Sequence, residues 1–230
     1  MQFFLDSANV DDIKKYAKVG LLDGVTTNPA LIAKEGRDFL EVVQEICGII
    51  DAPICAEVVS LDVEGMFREA GELAKLHQNI VVKIPATPAG FEALHLCSKD
   101  GIKTNFTIVY TANQALLAGK LGATYVSPFV GRLDATSTGG SELIREIVTI
   151  YQNYDFATKV LAASMRNEIY VKEAALAGAH VATIPPEVLA QMMQSELTNI
   201  SLKGFLAEWD KLPEEKRSYF KPKSNNRVEV

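Results

Sequence analysis

Asn79-Ile80-Val81-Val82-Lys83-Ile84-Pro85 is a short apolar run with one cation near its end and a proline that closes it. Such a run, bounded by breakers, reads as a strand whose two faces are both covered. A lysine in that setting has two readings. An ammonium taken out of water costs several kcal/mol unless it is paired, so a buried lysine tends to lose its proton and become a nucleophile. Alternatively, the lysine guards the exposed edge of a sheet against pairing with another chain. The groups that the other strands carry at the same depth decide between them.

Outward from this run, seven more strand-like stretches appear at residues 2–6, 23–28, 53–59, 103–109, 124–130, 159–165 and 180–185. They alternate with helical spacing over 9–19, 30–50, 63–77, 87–99, 111–121, 139–152, 167–178 and 186–195, with Val42, Val43, Ile46, Ile49 and Ile50 as one clear apolar face. Eight strand and helix units within 230 residues predict a (β/α)8 TIM barrel over 1–197. An open doubly wound sheet would place a glycine-rich phosphate turn after its first strand, where this chain has Leu5-Asp6-Ser7-Ala8-Asn9-Val10. No GxGxxG or GxxxxGK[ST] occurs, and Gly139-Gly140 reads as a plain turn before a helix. A ninth helical pattern over 198–210 carries Ile200, Leu202, Phe205, Leu206 and Trp209, which predicts packing on the barrel or on a neighbouring subunit. Together with the polar tail it forms a second region, 198–230, and the end after Phe220 is expected to be mobile.

A net charge of −6 without a long basic cluster argues against nucleic acid as the main partner and for a small molecule. The chain opens without a basic region followed by an apolar core, and no later run is long enough to span a bilayer, so a cytoplasmic protein without a membrane partner is expected. Cys47, Cys55 and Cys97 are odd in number, sit among apolar neighbours and lack CxxC spacing, which reads as buried thiols. His77, His95 and His180 are scattered, so no metal centre is expected.

In a barrel of this kind, functional groups project from the C-terminal ends of the strands. Here those ends carry Asp6, Thr26-Thr27-Asn28, Glu57, Lys83, Asn105 with Thr107, Ser127 with Arg132, and Ser164 with Arg166. Polar residues at strand ends are often turn formers or caps, and Asp6 and Asn28 are the first candidates for that plainer role. The convergence of an acid pair, a lysine, amides, hydroxyls and two arginines favours chemistry. A desolvated lysine can form an iminium with a ketone, an electron sink for breaking the neighbouring carbon–carbon bond. Asp6 or Glu57 could act as the base, the asparagines and serines could hold hydroxyls, and paired arginines suit a phosphate.

These motifs resemble the small transaldolases, the subfamily that also contains fructose-6-phosphate aldolase. The resemblance runs from about Phe3 to Trp209 and is carried by Phe-Leu-Asp at 4–6, Gly-Val-Thr-Thr-Asn-Pro at 24–29, Ala-Glu-Val at 56–58 and Val-Val-Lys-Ile-Pro at 81–85. Asn-Phe-Thr at 105–107, Tyr-Val-Ser-Pro-Phe-Val-Gly-Arg at 125–132 and Ala-Ala-Ser-Met-Arg-Asn at 162–167 complete it. It implies Lys83 as the Schiff-base residue, Asp6 as the acid/base, and Glu57 with Thr107 handling a water. It further implies Asn28, Asn105 and Ser127 on the hydroxyls of a dihydroxyacetone unit, Phe129 as a wall, and Arg132, Ser164 and Arg166 on phosphate. Aldolase-like members carry glutamine at the position of Glu57 and tyrosine at that of Phe129, so both positions resemble transaldolase. The implied reaction moves a dihydroxyacetone unit from sedoheptulose 7-phosphate to glyceraldehyde 3-phosphate, giving erythrose 4-phosphate and fructose 6-phosphate in the pentose phosphate pathway, with no cofactor. Direct aldol cleavage of fructose 6-phosphate and a non-catalytic sugar-phosphate-binding barrel are the alternatives. The family also implies a homo-oligomer, a pentamer or decamer.

Overall fold

The computed structural model describes residues 1–133 and 139–217. Eight parallel strands close into a barrel in sequence order: β1 (Gln2–Asp6), β2 (Gly24–Thr26), β3 (Ile54–Glu57), β4 (Ile80–Pro85), β5 (Thr104–Val109), β6 (Tyr125–Pro128), β7 (Lys159–Ala162) and β8 (Val181–Ile184). Closure comes from β1, which pairs with both β2 and β8. The predicted (β/α)8 architecture is therefore present, and a lysine on β4 has no sheet edge to guard.

The helices between the strands are α1 (Val10–Val19), α2 (Pro29–Glu35), α3 (Phe39–Ile49), α4 (Val63–Leu76), α5 (Pro88–Lys99), α6 (Ala112–Lys120), α7 (Val130–Leu133), α8 (Gly140–Asn153), α9 (Glu168–Leu176) and α10 (Pro186–Met192). Side-chain caps set many of their starts. Asn9, Asp38, Asp62, Thr87 and Asn167 each accept backbone N–H groups that the first helical turn leaves without partners. The helical stretch expected over 30–50 is two helices instead. The first stops at Gly36, whose φ of 63° is left-handed, and Asp38 starts the second by accepting from Leu40 and Glu41.

Inside the barrel, Phe4, Cys55, Val81, Tyr125, Leu161 and Val181 fill one buried layer. Side chains of a strand return to the same face every second residue. Two positions further on, the same strands therefore present Asp6, Glu57, Lys83, Ser127, Ala163 and Thr183. An apolar plug thus lies directly beneath a mainly polar layer at the C-terminal end of the strands. At that end β5 carries an extra residue relative to β6, with a register shift between Phe106 and Val109, and Ile108 there takes a left-handed φ of 60°.

The chain falls into two compact units, the barrel over 1–191 and a helical segment that begins at Met192. The latter contains α11 (Glu196–Trp209), capped by Ser195, and a short 3-10 turn at Glu214–Lys216. The predicted mobility after Phe220 lies outside the described residues. Among the described residues, no helix is long and apolar enough to cross a membrane. Cys55 and Cys97 are buried and Cys47 is half-buried.

Candidate active site

Apart from Glu57, the polar layer lines a cavity of about 180 Å³ at the C-terminal mouth of the barrel, and Arg166 is not among its lining residues either. Asp6, Asn28, Lys83, Asn105, Thr107, Ser127, Phe129, Arg132 and Ser164 all face it, with Thr26, Ala163 and Thr183. Sequence positions from Asp6 to Thr183 are thus brought to one space by strand alternation and barrel closure.

Lys83 is 6 % exposed, and an ammonium at that depth requires compensation. It has two partners. Its Nζ lies 2.9 Å from Glu57 Oε2 and donates to the Thr27 carbonyl at 2.9 Å. The adjacent strands set this pair, because β3 and β4 run in register with Glu57 beside Lys83. On the other side β4 and β5 place Asn105 beside Lys83. Ser127 Oγ donates to Asn105 Oδ1 at 2.7 Å, and Asn105 Nδ2 approaches Cys55 Sγ at 3.6 Å, so the amide is oriented from both ends. Burial pushes the Cys55 thiol up to about 11, which keeps it neutral beneath the lysine. Thr107 is also buried, and its Oγ1 has no hydrogen-bond partner among the described residues. A hydroxyl left so at the cavity wall is available to a ligand or a water.

Asp6 is not a helix cap; the start of α1 is capped by Asn9 instead. Its carboxyl is raised above the ordinary carboxylate range by burial, against the opposing effects of the Lys83 charge and a hydrogen bond from Thr26, while Glu187 and Glu57 push it further up. Asn28 does have the expected capping role, since Oδ1 accepts from Leu31 N at 2.9 Å, and it lines the cavity as well.

At the rim, Phe129 stacks edge-on against Tyr110 and lies under the Arg132 guanidinium, 5.7 Å from the ring centroid. Backbone bonds from Phe129 to Val109 and from Val130 to Ala163 tie this turn to both neighbouring strands. Ser164 has a left-handed φ of 64°. Its carbonyl and the aliphatic stem of Arg166 press on Gly131, where an added Cβ would lie 2.2 Å from the Ser164 oxygen. Arg132 and Arg166 are exposed and rise from the two sides of this contact. Sequence reading did not single out Thr183 or Gly131. Thr183 is one of several threonines near strand ends, and Gly131 has no property that marks a close contact before the fold is known.

The model of the transaldolase/fructose-6-phosphate aldolase family matches residues 3–226. The chain belongs to this family. It is 58 % identical over 211 residues to a probable transaldolase of Thermoanaerobacter sp. strain X514, covering 92 % of this chain and 98 % of that one. A probable transaldolase of Caldicellulosiruptor saccharolyticus is 57 % identical over 214 residues, covering 93 % and 99 %. One from Methanococcus vannielii is 56 % identical over 210 residues, covering 91 % and 98 %. Solved structures that share the fold include 3-hexulose-6-phosphate synthase, with a TM-score of 0.59 at 15 % identity over 80 % of this chain and 90 % of the other. The N-acetylmannosamine-6-phosphate 2-epimerase of Clostridium perfringens has a TM-score of 0.58 at 17 % identity, covering 86 % and 93 %. At such identities the likeness concerns the barrel alone. Membership in the transaldolase/fructose-6-phosphate aldolase family establishes an aldolase-type, transaldolase-like enzyme acting on sugar phosphates.

Proposed function

We propose that this member of the family is a transaldolase that carries a dihydroxyacetone unit on Lys83 from sedoheptulose 7-phosphate or fructose 6-phosphate to an aldose phosphate, in the pentose phosphate pathway. The observation that carries this reading is the near-complete burial of Lys83 at the cavity floor, with Glu57 2.9 Å from its amine. In this reading Glu57 takes the ammonium proton, which leaves the amine free to attack the ketose carbonyl carbon. Loss of water then forms the iminium.

Asp6 accepts the proton of the hydroxyl carried by the far carbon of the bond to be cut, which becomes the carbonyl of the departing aldehyde. The electrons of that carbon–carbon bond move towards the iminium nitrogen, and the first aldehyde departs from the resulting enamine. Attack of the enamine carbon on the acceptor aldehyde reverses these steps, with Asp6 returning the proton to the new alkoxide. Water, handled by Glu57 and Thr107, finally hydrolyses the iminium and frees Lys83. Asn28, Asn105 and Ser127 hold the hydroxyls of the three-carbon unit, Phe129 walls the cavity, and Arg132, Ser164 and Arg166 receive the phosphate. A homo-oligomer, pentamer or decamer, in the cytoplasm belongs to the same reading.

Incubation with fructose 6-phosphate and borohydride should leave a reduced three-carbon unit on Lys83, located by mass spectrometry. An unmodified Lys83 in a protein that still binds the sugar phosphate would instead make it a non-catalytic binding barrel.

A further inference from the structure

We propose that Thr183 is a positioning residue for Asp6 and acts through Thr26. The Thr26 hydroxyl is 2.8 Å from Asp6 Oδ1 and 2.5 Å from the Thr183 hydroxyl. Thr183 is 3 % exposed and Thr26 is 2 % exposed, so neither hydroxyl has bulk water as a substitute. An ionised carboxylate can only accept, and a threonine has a single O–H. With Asp6 ionised, the Thr26 proton is committed to the carboxylate, and the contact with Thr183 must use the Thr183 proton. The order of donation is therefore Thr183 to Thr26 to Asp6.

This chain crosses the seam at which the barrel closes. Thr183 comes from β8, Asp6 from β1 and Thr26 from β2, and β1 is paired with both of the others. Each donated bond polarises the next in a low-dielectric interior, so Thr183 strengthens the hydrogen bond that Asp6 receives and fixes the orientation of Thr26. The charged groups acting on Asp6 are Lys83 from β4, Glu57 from β3 and Glu187 from α10. Burial and the two glutamates disfavour its ionised form, while Lys83 and the hydroxyl chain favour it. A base at the cavity floor must be ionised to accept a proton. Thr183 thus sets the fraction of the enzyme in which Asp6 can do so, an inference that rests on the acid/base role proposed for Asp6 above.

The test is a ¹³C NMR titration of the Asp6 carboxyl in substrate-free protein, assigned by its loss in Asp6→Asn. Thr26→Val should raise the titration midpoint by about one pH unit, the effect of losing a hydrogen bond to a charged group. Thr183→Val should raise it by about half as much, because it removes only the supporting bond. Thr183→Ser should restore the parent midpoint, and the double valine variant should match Thr26→Val alone, since Thr183 acts through Thr26. The acid limb of the kcat/KM profile should move with the midpoint. Thr183→Ala gives the same reading should the valine variant fail to fold. An unchanged midpoint in folded Thr183→Val or Thr183→Ala, or additive shifts in the double variant, would overturn the proposal. Because the titration needs no turnover, the expected shifts without a borohydride-trapped adduct on Lys83 would support the positioning role and remove the Schiff-base function.

Discussion

Asp6 is a carboxylate held where burial disfavours its charge, even with Lys83 and Thr26 opposing that effect. Its folded-state pKa lies above the ordinary 3.8, so an ionised Asp6 costs stability. That cost is absent below the unfolded pKa, where both states are protonated, and it grows as pH rises through the folded pKa. Asp6→Asn, which keeps an acceptor for Thr26, should therefore melt at a higher temperature than the parent at pH 8. The difference should shrink on acidification and vanish below about pH 4. Calorimetry across that range checks the sign, and a variant less stable at pH 8 would refute it. In the proposed reaction, Glu57 and Phe129 bear on a different step. A transferase must keep water from its iminium until the acceptor arrives, and Phe129 has no hydroxyl with which to direct one. Glu57→Gln with Phe129→Tyr should raise the ratio of free dihydroxyacetone release to transfer, on the order of tenfold or about 1.4 kcal/mol between the two barriers. Product analysis with fructose 6-phosphate, with and without erythrose 4-phosphate, measures that ratio. A parent that releases dihydroxyacetone as fast as it transfers it would be a direct aldolase.

At the scale of elements, β4 and α5 show how the strand bearing Lys83 is held. Thr87 caps α5 by accepting from Gly90, and the helix returns so closely that a Cβ on Gly90 would lie 2.0 Å from the Pro85 carbonyl. Backbone cannot yield as a flexible side chain can. Gly90→Ala should cost about 1–3 kcal/mol, and its displacement of Pro85 should lower turnover by up to about a hundredfold. Gly71 in α4 is the control, since a Cβ there meets nothing within 4 Å. Gly71→Ala should stabilise the protein by up to about 1 kcal/mol through helix propensity and leave turnover unchanged. Thermal melts and steady-state rates separate the two variants, and equal behaviour would mean that the contact at Pro85 relaxes freely. The sequence pattern identified both helices and the strand. It could not distinguish the two glycines, because the difference lies in the approach of one element to another.

For the whole molecule, the apolar positions of α11 raise the question of assembly. None of its residues is buried, and Leu197, Ile200, Leu202, Phe205 and Leu206 remain exposed. Apolar side chains in that number favour a covering partner. Removal of the residues after Leu197 should lower the mass measured by light scattering by at least half. A truncated chain that keeps the parent's number of subunits would show that α11 is not the contact that holds an assembly together.

Alternation between strand and helix periods determined the eight-fold barrel before any coordinates, because local propensity and burial pattern agree along nearly the whole chain. The ordered motifs around Asp6, Lys83, Asn105, Ser127 and Ser164 likewise pointed to side chains that share a cavity, since a barrel strand delivers its end residues to one face. Tertiary structure decided the relations among them. Glu57 meets Lys83 because two strands lie in register, and Asn28 both caps a helix and lines the site because that helix starts at the cavity. Thr183 reaches Thr26 across a separation of 157 residues only because β8 returns to β1. Hydrogen bonds act over about 3 Å, whereas sequence patterns register only which face a residue occupies, so contacts of this kind exist only once the barrel has closed.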